Sequence, residues 1–433
     1  MGELKGFQLI VLIVFGACAI AGIAAFALYR SSGSDDGINE VAVWGTLPDD
    51  VIDRVVQQYN ESTGSRFRIT YESFREEAFD QELTEAIAEG RGPDAVIISE
   101  QHILRHEAKL LAVPYESYSE QQFRSTFIEA GELFMTPNGI VALPITVDPL
   151  VLYWNRTLFA DAGIALPPTS WAALPSLIEK LTVRTDTNTI TQSTLALGTF
   201  DNITNARDII TALLLQSGNE IVDRDPTLGI RSALSVGAPG EAVRPAESAL
   251  RFYTSLVNPV SELYSWNAAL PASREAFLAG DLGMYIGRAS ELFELQEQNP
   301  NLNFDVALLP QADTSARKTY GEVYGVAAVR TTNDVTSAFN AMSVMSDAAF
   351  GALIDQRYGL PPVQRSLLNT TPPDAFRTVL YASALIADGF LDPDPDATSD
   401  ILKAAVSDIT SGRKNITTAV QDANQKLERL LES

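Results

Sequence analysis

The chain has 433 residues, 46% of them hydrophobic and 20% charged, which is ordinary globular composition with apolar material for two or three domains. Its formal net charge of −24, from 31 Lys and Arg against 55 Asp and Glu, argues against nucleic acid and anionic membrane surfaces as partners, since both would be repelled. Cys18 is the single cysteine, so no internal disulfide is available and stability has to come from packing.

From Leu9 to Tyr29 the chain is apolar without interruption. At a rise of about 1.5 Å per residue, a helix of that length spans the roughly 30 Å hydrocarbon core of a bilayer. Three fates compete: a retained anchor, a signal peptide cut after Ala25-Phe26-Ala27, or acylation of Cys18 within Phe15-Gly16-Ala17-Cys18. The anchor is favoured, because the apolar run continues well past Cys18 and exceeds the ~7 to 15 residues of a cleavable core. Lys5 on one flank against Arg30 on the other hardly decides orientation. SSGSDDG, residues 31–37, is a short flexible tether.

The body begins at Glu40, where VAVWG predicts a strand. Asp49 or Asp50 then caps an amphipathic helix with Val51, Ile52, Val55, Val56 and Tyr59 inward, and Gly64 stops it. FRITYES predicts a second strand, REEAFDQELTEAIAEG a helix ending at Gly90, and DAVIIS a buried third strand. This βαβαβ order argues for a parallel, doubly wound sheet, in which ligands collect beyond the carboxyl ends of the strands. Trp44 to Leu47, Ser73 and Ser99 to His102 then fall on one rim.

Residues 139–159, GIVALPITVDPLVLYWNRTLF, hold two strand-length apolar runs separated by Pro144, Asp148 and Pro149. Proline has no amide proton to give a central strand, so the chain is expected to leave one sheet near Pro144 and enter another near Leu150. Asp148 then faces the groove between two lobes, although such an acid is in general no more than a solvated turn residue. Beyond the crossing, Ser170 caps the helix of WAALPSLIEKL, LALGTF predicts a strand, and Ala206 to Gln216 a helix stopped by Gly218. GMYIG, FDVALL and VYGVAAVR predict further strands, and helices dominate from Asn333 onward.

No Walker loop, GxSxG elbow or HExxH pair occurs, so nucleophilic and phosphoryl-transfer chemistry lack their usual parts and no enzyme is expected. His102 and His106, four apart, have a spacing that suits a metal, but a surface-helix position for His106 and no metal site is the expectation. DPDPDATSD (392–400) spaces acids like a calcium loop, yet has Ala397 where the turn needs glycine and Lys403 where the bidentate Glu belongs. It is expected to be a proline-stiffened lead-in to the last helices. No cofactor is implied.

In order and spacing, GRGPDAVIISE (90–100), the crossing segment, FLAGDLGMYIG (277–287), FDVALLP (304–310), GLPPVQ (359–364) and the C-terminal ILKAAVSDITSGRKNITTAVQDANQKLERLL (401–431) resemble the extracellular solute-binding proteins of ABC importers, in the oligosaccharide branch typified by maltose-binding protein. The resemblance implies a two-lobed α/β periplasmic-binding-protein fold, each lobe a doubly wound sheet with flanking helices, behind an N-terminal transmembrane helix. Lobe 1 would comprise about 38–145 and 306–347, and lobe 2 about 149–302 and 352–433. The implied function is capture of a small polar solute, a carbohydrate, in the inter-lobe cleft for delivery to ABC permease subunits, with the body on the extracytoplasmic side.

The same resemblance assigns ligand contacts to Trp44, to Ser99, Glu100 and Gln101 after the third strand, and to Asp148 in the crossing. Arg288 and Ser290 follow the GMYIG strand, where maltose binders place a stacking tryptophan, and Ile98 and Ser399 stand where they have others. Maltodextrin is therefore disfavoured, and Phe390 is the candidate replacement platform. Tyr324 and Gln364 lie in motifs that approach the cleft. For Trp44, Phe390 and Tyr324, core packing is an equal alternative. A membrane-anchored ligand sensor or adhesion module reusing the fold is the second functional reading. A hydrolase would need a carboxylate pair from Asp148 with Glu100 or Glu322.

Overall fold

The computed structural model describes residues 39–62, 67–225, 229–237, 244–312 and 317–432. The apolar segment 9–29, the tether and Gly64 lie outside the described residues. Among the described residues, no helix is long and apolar enough to cross a membrane.

The first lobe starts with β1 (Asn39–Gly45), α1 (Asp49–Ser62), β2 (Phe67–Ser73), α2 (Glu76–Ala88) and β3 (Ala95–Ser99). β1 pairs in parallel with both β2 and β3, bringing Gly45, Ser73 and the end of β3 onto one rim, as the βαβαβ pattern requires. Strand alternation splits the apolar residues between two faces. Val41, Val43, Ala95 and Ile97 meet Ile52 and Val55 of α1, while Val96 and Ile98 meet Phe79 and Leu83 of α2. Burying each such aliphatic side chain stabilises by about 1.5–3 kcal/mol, so this sheet is held from both sides.

The crossing is one continuous strand, β4 (Leu143–Asn155), and this corrects the expected break at the prolines. It pairs antiparallel with a second long strand, to be numbered β8 (Thr319–Val329), from Leu143 to Pro149. From Leu150 on it pairs with β6 (Leu282–Arg288), and β7 (Phe304–Ala307) joins on its other side. The prolines fit because Pro144 sits opposite Gly325, where the β4/β8 register shifts, and Pro149 uses its carbonyl, which accepts from the Ala289 amide at 2.9 Å. The sheets of the two lobes are therefore one eleven-stranded sheet with β4 and β8 at its centre.

The second lobe adds β5 (Ile190–Leu195), parallel to β6, and the helices α3 (Ala206–Gln216) and α4 (Pro245–Ser255). The strand expected over LALGTF lies earlier, at 190–195, and beyond it Gly198 takes φ of +103°, where a Cβ would lie 2.9 Å from the Val257 backbone nitrogen, a geometry that favours glycine. The return to lobe 2 comes later than the expected 352. Helices α5 (Val335–Met345) and α6 (Ala348–Tyr358) place Met342, Met345, Phe350 and Ile354 in the α1-side core of lobe 1. α7 (Ala375–Leu385) straddles the boundary, with Leu380 in the lobe 2 core and Tyr381 in that of lobe 1. The chain ends in α8 (Pro395–Thr410) and α9 (Ile416–Leu431), packed in lobe 2.

Candidate ligand cleft between the lobes

Register puts three charged side chains on one face of the shared sheet. Asp148 on β4 stands opposite Glu322 on β8, and Leu150, two residues on, stands opposite Arg288 at the end of β6. Arg288 is a quarter exposed; it donates from Nε and Nη2 to Oδ2 of Asp208 at 2.9 and 2.7 Å, and from Nη1 to Glu322. Asp208 comes from the first turn of α3, where it also meets the helix dipole. Its neighbour Arg207 donates to Asp208 at 3.2 Å and to Asp392, a fully buried acid that also accepts from Thr398 Oγ1 at 2.7 Å. Asp392 opens the DPDPDATSD segment, and Asp394 caps α8 by accepting from the Ala397 amide, so this run is the helix lead-in expected.

Asp148 is 5% exposed rather than a solvated turn acid. It accepts from the Ser290 amide at 3.0 Å and the Ser290 hydroxyl at 2.6 Å, tying β4 to the turn after β6. Burial pushes its carboxyl up to about 6, against the opposing pull of Arg288 and of the Ser290 bonds. Ser290 itself is exposed at the cleft. Glu100 is wholly buried at the end of β3 and accepts from the Val323 amide at 2.8 Å and the Tyr320 hydroxyl at 3.1 Å. Burial, and then the charge of Glu322, pushes the Glu100 carboxyl well above the usual carboxylate range. Gln101 donates to Tyr320 at 2.9 Å, and the Ser99 hydroxyl is engaged 3.3 Å from His102 Nδ1. Glu100 and Gln101 thus brace β8 while Ser99 ties back to His102, so the loop after β3 has its polar groups already partnered.

Trp44 is half-buried, its ring 4.6 Å from that of Phe74, so the pair forms an aromatic edge at the rim of lobe 1. Tyr324 is half-buried on the same β8 face as Glu322. Phe390 is a core residue, 3% exposed, with the Arg207 guanidinium 5.6 Å over its ring, and it is not an open platform. Gln364 lies elsewhere. It donates to the carbonyls of Ser346 and Asp347 at 2.8 and 3.2 Å, in the turn between α5 and α6, beside a separate cavity of about 540 Å³.

The structure thus gathers Asp148, Arg288 and Ser290 with Glu100 and Gln101, sets Trp44 and Tyr324 at the margin, and separates Gln364. Arg207, Asp208, Tyr320 and Asp392 join the site although their sequence neighbourhoods gave no assignment. The trace that could have found the first two is a charged pair heading an otherwise apolar helix, ARDIITALLLQ, which in a buried setting must be paired. His106 is also corrected: it is fully buried, with Nε2 2.6 Å from Asp80 and Nδ1 3.1 Å from Lys109 Nζ. Burial would raise the Asp80 carboxyl, but hydrogen bonds from His106 and Arg105 hold it below its usual range. Among the described residues, no group of three or more His, Cys, Asp or Glu side chains is placed to hold a metal ion.

A two-lobed α/β molecule with a polar cleft at the strands that join its lobes has the architecture of a binding protein. Residues 54–376 match the family model of bacterial extracellular solute-binding proteins, and the chain belongs to that family. A chain of Brucella abortus (strain 2308), named as a binding protein, is 23% identical over 423 residues, covering 95% of this chain and 97% of its own. Among solved structures, a cyclo/maltodextrin-binding protein complexed with maltotetraose superposes with a TM-score of 0.73 at 15% identity, covering 92% of this chain and 99% of the other. The cyclic alpha-maltosyl-1,6-maltose binding protein of Arthrobacter globiformis gives 0.73 at 17%, covering 92% and 100%. The sugar-binding protein MalE of Xanthomonas citri gives 0.73 at 15%, covering 91% and 98%.

Proposed function

We propose that this chain is the receptor of an ABC importer, which captures a small polar solute, a carbohydrate, between its lobes and delivers it to permease subunits. The observation that carries this reading is the directional polar constellation of Asp148, Arg288, Ser290 and Glu322 where the two lobes share their sheet. Planar carboxylate and guanidinium groups suit hydroxyl pairs, and the Trp44–Phe74 edge suits the C–H face of a sugar ring. The sugar ligands named for the structural neighbours support the same class. No catalytic role is assigned, because Asp148 and Glu322 are each engaged by other side chains.

The test is a thermal-shift screen of the full-length chain in mild detergent against sugars, polyols, amino acids and polyamines. Ligand at a hundred times its Kd should add about 2.7 kcal/mol of stability. Scattering should show a smaller radius of gyration on binding; identical curves with and without a confirmed ligand would refute closure. In this reading the body is held outside the cytoplasmic membrane by residues 9–29. Mass spectrometry of the membrane-extracted protein tests that arrangement, and an N-terminus near residue 28 or a lipid on Cys18 would overturn it.

A further inference from the structure

The cleft holds more acid than base. Asp148, Glu322, Asp208 and Asp392 gather there, against the two guanidinium groups of Arg207 and Arg288. Each arginine is already shared between two carboxylates, Arg207 between Asp208 and Asp392 and Arg288 between Asp208 and Glu322. Neither has a charge to spare. Asp148 is more than nine-tenths buried, and its partners are an amide and a hydroxyl rather than a cation. Glu76, at the head of α2 in lobe 1, lies within electrostatic reach of Glu322 and adds to the same field.

Buried carboxylates gathered without matching cations are costly unless something supplies the missing positive charge. We infer that the solute of this cleft carries a cationic group, a protonated amine or a guanidinium on a hydroxylated body, which sits against Asp148 and Glu322. Their neighbouring places across β4 and β8 put both carboxyl groups on one face, where an ammonium with three donors can bridge them. The Trp44–Phe74 edge adds aromatic faces that favour a cation as well as a sugar ring. Arg288 does not oppose this, since the connected set of Arg207, Arg288, Asp208, Asp392 and Glu322 has two guanidinium groups against three carboxylates. An organic cation is chosen over a metal ion because no set of acids here converges in ligating geometry among the described residues. The inference rests on the proposed role as a solute receptor and names the charge of its solute.

The test is titration calorimetry of the full-length chain in detergent with matched pairs, glucose against glucosamine and cellotriose against fully deacetylated chitotriose, together with putrescine as a sugar-free diamine. The amine-bearing member of a pair should bind at least tenfold more tightly at pH 7.5. That preference should shrink several-fold in Asp148→Asn and in Glu322→Gln, each checked for folding by circular dichroism. If a variant fails to fold, the wild-type preference is followed instead from pH 7.5 to pH 5, where protonation of Asp148 should reduce it. Neutral sugars binding as tightly as their amino partners would overturn the inference and leave the carbohydrate reading standing. Binding of putrescine and of no sugar would overturn the carbohydrate reading and keep the inference. Silence of every amine in the panel would overturn the inference.

Discussion

Arg288 and Asp208 meet through two guanidinium nitrogens on one carboxylate oxygen, at 2.9 and 2.7 Å, joining the end of a strand to the first turn of a helix. Because Arg288 also holds Glu322, its loss leaves the buried Glu322 without its cation and Asp208 with Arg207 alone. Breaking a buried pair by removing one partner costs about 3–5 kcal/mol, far more than the pair itself adds. Arg288→Met should therefore lower stability by about that amount in chemical denaturation. Combined with Asp208→Asn it should cost clearly less than the sum; strict additivity would show that the two are not coupled.

Asp148 gives a pH signature. Its carboxyl is pushed up to about 6 in the fold by burial, from 3.8 in the unfolded chain, with Arg288 and Ser290 pulling the other way and Glu322 adding to the rise. The unfolded chain thus releases this proton first. Stability from this group is full below about pH 4 and is lost as pH rises to 6, by an amount on the order of 2–3 kcal/mol. Asp148→Asn should flatten that part of the pH–stability curve. Asp148→Ala should instead cost about 0.5–1.5 kcal/mol at about pH 4, since it removes the bonds from the Ser290 amide and hydroxyl, which water can then reach. An unchanged slope in the Asn variant would place the titration elsewhere.

Gln364 predicts a separation of stability from binding. Its side chain satisfies the carbonyls of Ser346 and Asp347 away from the cleft. Gln364→Ala should destabilise by about 1–2 kcal/mol while leaving ligand affinity within about twofold. A tenfold loss of affinity in calorimetry would bring this residue back into the site.

Arg105 of lobe 1 reaches Asp394 of lobe 2 at 3.0 Å, and Arg224 of lobe 2 donates to the Met135 carbonyl of lobe 1 at 2.9 Å. Arg105 and Asp394 are both more than a third exposed, and an exposed pair is worth about 0.2–1 kcal/mol. Arg105→Gln should therefore speed ligand release no more than about fivefold and leave association nearly unchanged in stopped-flow traces. A larger effect would mean that closure depends on this contact rather than on the ligand.

Much of lobe 1 was legible in the sequence because its signals are local. The apolar stripe of α1, the Gly90 stop at φ +71° and the all-buried strand at 95–99 each follow from neighbours in the chain. The continuity of β4 was not, because Pro144 is tolerated only through the register shift against Gly325, a partner 181 positions along the chain that no local rule can supply. Part of the site was legible for a related reason. Asp148 stands out as an acid in an apolar run, whereas Arg207, Asp208 and Asp392 make sense only once α3 and the lead-in to α8 are brought together. His106 misled because spacing on a helix does not tell which side meets Phe79 and Asp80.

The pairing of β3 with β8 has a consequence for how the molecule comes into being. Glu100 and Val323, bonded at 2.8 Å, are 223 residues apart, and β4, β5, β6 and β7 are all made between them. Emerging from the ribosome, β3 has no partner on its open side until β8 follows, so a ready sheet edge waits through most of synthesis. Such long-range closure is intrinsically slow, because loop entropy has to be surrendered before the contacts that reward it can form. For a chain whose family works outside the cell, slow closure has a use: a nascent lobe that cannot complete itself is still threadable when it reaches the membrane.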